Sequence, residues 1–234
     1  MADRSKKFIY LTYSDGERWC SKVLGEIDYG SFKEFTHASI IDLIPNGELP
    51  LLSLTRDKLP EFSNTLPFLR QNNTITPLDR ATLSLESKYM TTNYQGEIEP
   101  FPSQASLLTF APLIQFGANI ENYILLVNLE KDPKRREVEV ELYDSLTGIL
   151  KSVEGAYSNQ INIISLDNIG FDENILPVIV CKGMSGIPLY FSSYKQGQLL
   201  SLEHTHPPAS LVVLGSRPSV QIRLKTYWFD RLKR

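Results

Sequence analysis

Glu137-Val138-Glu139-Val140-Glu141-Leu142-Tyr143 alternates polar and apolar residues without a break. Successive strand residues point to opposite faces, so a period of two puts Val138, Val140 and Leu142 on one side and the three glutamates on the other. A helix would scatter both sets around its circumference. The stretch therefore reads as a strand with one face in a core and one solvated, carboxylate-bearing face. Just before it, Lys131-Asp132-Pro133-Lys134-Arg135-Arg136 combines a proline with a charge cluster and reads as a solvated turn. Tyr123-Ile124-Leu125-Leu126-Val127, further upstream, is a continuous apolar run of strand length, as expected of a central strand covered on both faces.

The same grammar continues downstream. Asp144 to Gly148 turns the chain into a strand at Ile149 to Val153, and Gln160 to Leu166 alternates again. Leu176 to Cys181 and Ile187 to Ser192 are two more strands, separated by Lys182-Gly183-Met184-Ser185-Gly186. Tyr194-Lys195-Gln196-Gly197 is a hairpin turn leading into Gln198 to His204, and Ser219 to Phe229 alternates as a last strand. Short strands joined by turns predict a mainly β protein with little helix, an antiparallel β-sandwich or jelly-roll-like fold. In the first hundred residues, Arg80 to Tyr89 reads as a strand and Pro45-Asn46-Gly47 as a turn, while Phe32 to Leu43 fits neither period. Pro100 and Pro102 mark a linker near Gly96 to Ser103. The expected organisation is a β-rich portion over 1–100 and a sandwich over 101–234, either packed closely or forming one domain.

At 234 residues, 42% apolar and 22% charged, the chain is able to bury a large core. A formal net charge of -3 excludes a globally cationic nucleic-acid binder and disfavours nucleic acid as the partner. No apolar run reaches the length of a membrane helix, and Phe8 to Leu11 is too short for a signal peptide, so a soluble, cytoplasmic protein is expected. Cys20 and Cys181 are too few for a disulfide framework, and Cys181, ending Val178-Ile179-Val180, is expected in the core.

Candidate chemistry concentrates in Glu203-His204-Thr205-His206-Pro207-Pro208. On a strand, His204 and His206 share a face, the commonest way a strand offers two metal ligands. The His-x-His pair resembles the first metal-binding motif of the cupins, jelly-roll proteins in which two histidines, a following glutamate and a further histidine hold a transition metal. That resemblance implies a divalent transition metal as the cofactor, with Glu203, Glu97 or His37 completing the set or assisting. The chain departs from the motif: Glu203 precedes the pair, Ser210 and Leu211 stand where the trailing carboxylate belongs, and no later histidine exists.

Other signatures are incomplete. Gly183-Met184-Ser185-Gly186 lacks a full nucleophile elbow and lies between two strands, where turn chemistry explains it. Glu97 with Glu99, and the three glutamates of the opening stretch, have a spacing compatible with paired-carboxylate chemistry and also with a solvated sheet face. No phosphate-binding loop is present. The C-terminal strand interleaves basic and aromatic residues, with Arg223, Lys225, Tyr227 and Arg231 as polyanion contacts.

These observations favour a non-enzymatic β-sandwich that recognises a carbohydrate or protein partner and forms homo-oligomers. A metal-dependent jelly-roll enzyme using His204 and His206 is the first alternative. A polyanion or nucleic-acid binder using the C-terminal strand is the second.

Overall fold

A computed structural model of the chain describes residues 6–44, 49–67, 81–96, 100–103, 105–111, 117–167, 169–171, 177–204 and 217–233. Contacts divide it into two compact units, Met1–Thr76 with Glu130–Arg136, and Pro77–Leu129 with Glu137–Arg234.

The first unit is built on an antiparallel sheet of β1 (Lys7–Ser14), β2 (Trp19–Ile27), β3 (Leu51–Thr55) and β4 (Phe62–Ser63), in the order β3-β1-β2-β4. Strand β1 is rich in aromatic and β-branched residues, which suit a pleated surface packed on both sides. Ile9, Tyr10, Leu11 and Tyr13 are all buried, so both faces of this strand are covered. The β1–β2 turn is closed by Asp15, whose carboxylate accepts the N–H groups of Glu17 (2.9 Å) and Arg18 (2.7 Å). Phe32 to Leu43 resolves into a loop, a short helix α1 (His37–Ile40) and a 3-10 turn (Ile41–Leu43). Lys131 to Arg136 is exposed at Lys131, Asp132, Lys134 and Arg135, as its reading as a solvated turn expects, and it is also bonded to the first unit. Pro133 is buried, and carbonyls of this segment accept the Trp19 indole N–H (Lys131, 2.9 Å), the Leu66 N–H (Lys131, 2.9 Å) and the Ser14 hydroxyl (Pro133, 2.5 Å). Arg136 pairs with the buried Glu130 carboxylate. The segment belongs to the first unit and is tied to it through these bonds and the buried Pro133.

The second unit contains an antiparallel β-sandwich, as the alternation predicts. One sheet has the order β10 (Leu150–Tyr157), β9 (Glu137–Asp144), β12 (Pro177–Cys181), β7 (Leu107–Phe110). The other has the order β11 (Ile161–Ser165), β8 (Ile120–Val127), β13 (Ile187–Tyr194), β14 (Leu199–His204). All their pairings are antiparallel. Leu126, Ile124 and Tyr190 of one sheet and Val140, Leu142 and Cys181 of the other join one buried apolar cluster between them. A hairpin of β5 (Ala81–Glu86) and β6 (Thr91–Gly96) lies beside β14; Ser87 Oγ donates to the Gln198 carbonyl at 2.7 Å. The hairpin turn after β13 takes positive φ at Lys195, Gln196 and Gly197.

The last element differs from the sequence reading. Arg217–Arg231 is an α-helix, α2, where alternation predicts a strand. As a strand, Val220, Ile222 and Leu224 would form the inner face, yet Ile222 is 65% exposed. The positions that pack are Lys225, Trp228, Phe229 and Leu232, the i, i+3, i+4, i+7 stripe of a helix. Trp228, Phe229 and Leu232 pack against Leu108, Val178 and Val180 on the outer face of the first sandwich sheet, and the Trp228 ring meets Phe110 edge-on at 4.8 Å. Pro218 falls in the first turn, where its missing N–H costs nothing, and Arg231 in the last turn opposes the carbonyl end of the dipole. Lys225 Nζ donates to the Ser106 carbonyl at 3.2 Å. Beyond the helix, Lys233 N–H donates to the Gly148 carbonyl (2.7 Å), and its own carbonyl accepts from Leu150 N–H (3.1 Å).

Candidate binding surface

The described residues singled out in the sequence lie on different elements of the two units. Glu203 is exposed on β14, in register with Tyr190, and His204 ends that strand, in register with Leu189. The His204 side chain, His206, Ser210, Leu211, Glu97 and Glu99 lie outside the described residues, as does Pro45-Asn46-Gly47. His37 opens α1 in the first unit, whereas Glu203 and His204 belong to the second. Among the described residues, no three His, Cys, Asp or Glu side chains are grouped to hold a metal ion. Arg223, Lys225, Tyr227 and Arg231 ride on a helix, which replaces the alternating face of a strand with a helical distribution. Arg231 donates to the Tyr227 hydroxyl at 2.9 Å and stacks 5.0 Å from the Trp228 ring centroid, so its guanidinium already braces the helix's own aromatics.

The carboxylate face of β9 is the next feature. Glu137, Glu139 and Glu141 do share one side, as the alternation requires, but that face is not uniformly solvated. Glu141 is only 3% exposed; its carboxylate accepts the Tyr143 hydroxyl at 2.8 Å and lies 3.5 Å from Lys182 Nζ. With Gly155 of β10, in register with Glu139, these side chains line an open groove of about 530 Å³. Gly155 lowers the neighbouring strand there, and this single glycine inside an alternating strand is the signal by which sequence could have found the notch.

The outer face of the other sheet is where the fold departs most from an ordinary sandwich. A sheet needs one apolar face to make a core, and its second face is normally polar. Here Leu125 and Val127 of β8, Leu189 and Phe191 of β13, and Ile161 and Ile163 of β11 share the outer face by register. Leu189 is buried, whereas Ile161 is 45% and Ile163 is 68% exposed. The sequence carried this signal in Tyr123 to Val127, a run apolar on both sides, but not the place where its cover stops.

A scan against protein-family models and searches of the curated proteins and of the solved structures found no match to this chain. No described helix is long and apolar enough to cross a membrane.

The thiols are structural. Burial first, then the nearby Asp15 carboxylate to which Cys20 Sγ donates at 3.4 Å, pushes the Cys20 thiol up to about 11. Cys181 is fully buried. At pH 8 native protein is expected to release no aromatic thiolate from an Ellman-type disulfide reagent within minutes, and both thiols are expected to react in denaturant. A fast native equivalent would contradict this placement.

Proposed function

We propose that the chain is a non-enzymatic binding and assembly module that engages a protein partner through the outer face of the β11-β8-β13-β14 sheet. One observation carries the reading: two isoleucines stand exposed on an apolar sheet face that a lone sandwich has no need to build. Burying apolar surface contributes roughly 25 cal/mol per Å², so leaving such side chains in water is a standing incentive to associate. The groove beside Gly155 supports a carbohydrate ligand less strongly, because its most buried carboxylate already has a hydroxyl and an ammonium partner.

The test is the binding of an anilinonaphthalene sulfonate dye to native protein. Fluorescence enhancement is expected at native pH, and Ile163→Asp is expected to remove most of it without lowering the melting temperature by more than a few degrees. Absence of dye binding, or enhancement unchanged by that substitution, would refute the apolar face as a binding surface.

A further inference from the structure

We propose that the partner is a second copy of this chain, added edge to edge on β11 through an antiparallel two-fold pairing centred on Ile163. This rests on the reading of the β11 side of the sandwich as its binding surface, and it names the occupant.

Asn128 N–H donates to the Gln160 carbonyl (3.0 Å) and Leu166 N–H to the Asn122 carbonyl (2.8 Å). With the continuous register between β8 and β11, these two bonds fix the phase of the ladder: residues 160, 162, 164 and 166 bond inward to β8. Ile161, Ile163 and Ser165 therefore aim their N–H and C=O groups off the edge of the sheet. Among the described residues none receives or supplies a backbone bond to these groups. Three consecutive outward residues form a ready template for another strand.

Edges of this kind are ordinarily blunted by charge, proline, a bulge or a covering element. Of the other three edges of the sandwich, β7 is short, with Leu107, Leu108 and Thr109 buried, and the remaining two show such devices. Strand β10 carries Lys151 and Glu154 and meets Lys233 at its start, while β14 has the β5–β6 hairpin beside it. In β11 the sequence Ile-Asn-Ile-Ile-Ser has no charge and no proline, and its register has no bulge.

Electrostatics selects a second copy as the occupant. A two-fold pairing brings each residue opposite its symmetry mate, so any charge near the axis would meet itself. Ser158 to Leu166 contains no charged residue. Centred on Ile163, the pairing sets Ile161 against Ser165 of the other copy and Asp167 against Asn159, so no like charges meet. Asp167 is in any case held by the Asn122 N–H at 3.0 Å. The three outward residues of each copy would exchange about six backbone hydrogen bonds. The Ile163 side chains would meet as a direct cross-strand pair, extending the apolar outer face across the axis.

The experiment is sedimentation equilibrium of the full chain over a range of concentrations. Wild type is expected to approach twice the chain mass. Ile163→Pro removes an N–H that points away from β8, so it leaves the β8–β11 ladder intact and is expected to give the monomer mass. Should that variant fail to fold, Ile163→Lys and Ile163→Glu serve instead. Each alone is expected to lose the doubled mass by like-charge repulsion at the axis, and their equimolar mixture to regain it. A wild type that stays monomeric, or a doubled mass that survives Ile163→Pro or both charged variants, overturns the pairing. So does a mixture that fails to reassociate. A monomeric wild type that still binds the dye through Ile163 would overturn only the second copy, leaving the apolar face for a different protein.

Discussion

Trp19→Ala is expected to destabilise the first unit by about 3–5 kcal/mol, the range for truncating a large aromatic in a packed core. Trp19 is 1% exposed and opens β2, and its ring is held in place by an indole N–H bond to the Lys131 carbonyl. Truncation leaves a cavity and takes from the Lys131 carbonyl one of its two donors, the Leu66 N–H remaining, and the two costs have the same sign. Trp19→Phe restores most of the volume but not the bond, so about 1–2 kcal/mol of the loss is expected to remain. Urea unfolding followed by far-ultraviolet circular dichroism measures both. The second unit keeps its own reporter, because Trp228 is the only other tryptophan. A Trp19→Ala loss below about 1 kcal/mol would contradict the packing described for β2 and the Lys131 segment.

Gly148→Ala carries the second large effect. Gly148 has φ of +71°, a region that costs a residue with a Cβ about 1–2 kcal/mol. Its Cβ would also stand 2.3 Å from the Arg231 carbonyl oxygen, a backbone atom at the end of α2 that cannot swing aside as a side chain would. The same residue's carbonyl accepts the Lys233 N–H, so relieving the clash means prising off the C-terminal segment. A total of about 2–4 kcal/mol is expected, within the range for a strained backbone site with an added steric conflict. The comparison is Gly197→Ala, where φ is +85° and nothing lies within 4 Å of the added Cβ. That variant should lose only the conformational part. Equal losses in the two variants would mean the C-terminal contact does not restrain Gly148. A red shift of Trp228 emission confined to Gly148→Ala would report the helix loosening from Phe110.

The sandwich strands were legible because alternation and turn chemistry coincide in them. Val138, Val140 and Leu142 mark the inner face of β9, and Lys195-Gln196-Gly197 supplies the turn before β14. Strands β1 and β2 were not read. Ile9, Tyr10 and Leu11 are buried on alternate faces, and a strand covered on both sides loses its period. Helix α2 was misread for the converse reason: Val220, Ile222 and Leu224 satisfy a period of two by accident. What decides the helix is a partner surface, Leu108, Val178 and Val180, which comes from strands far away in sequence. Alternation likewise gave Glu141 its face but not its burial, since Lys182 arrives from a remote turn. The open edge of β11 was invisible locally, because being at an edge is a property of strand order. Glu203 and His204 were read correctly as the end of a strand, while the chemistry suggested for the histidine pair extends past the described residues.

The passage of the chain between the two units has a consequence for the order of synthesis. Met1–Thr76 leaves the ribosome first, yet Glu130–Arg136 belongs to the same unit and supplies the carbonyls that Trp19, Ser14 and Leu66 require. The N-terminal segment must therefore wait, with those donors unsatisfied, while β5 to β8 of the other unit emerge. Translation completes the first unit only at Arg136, after the Pro77–Leu129 part of the second has been made, so the first unit is not finished when Thr76 emerges.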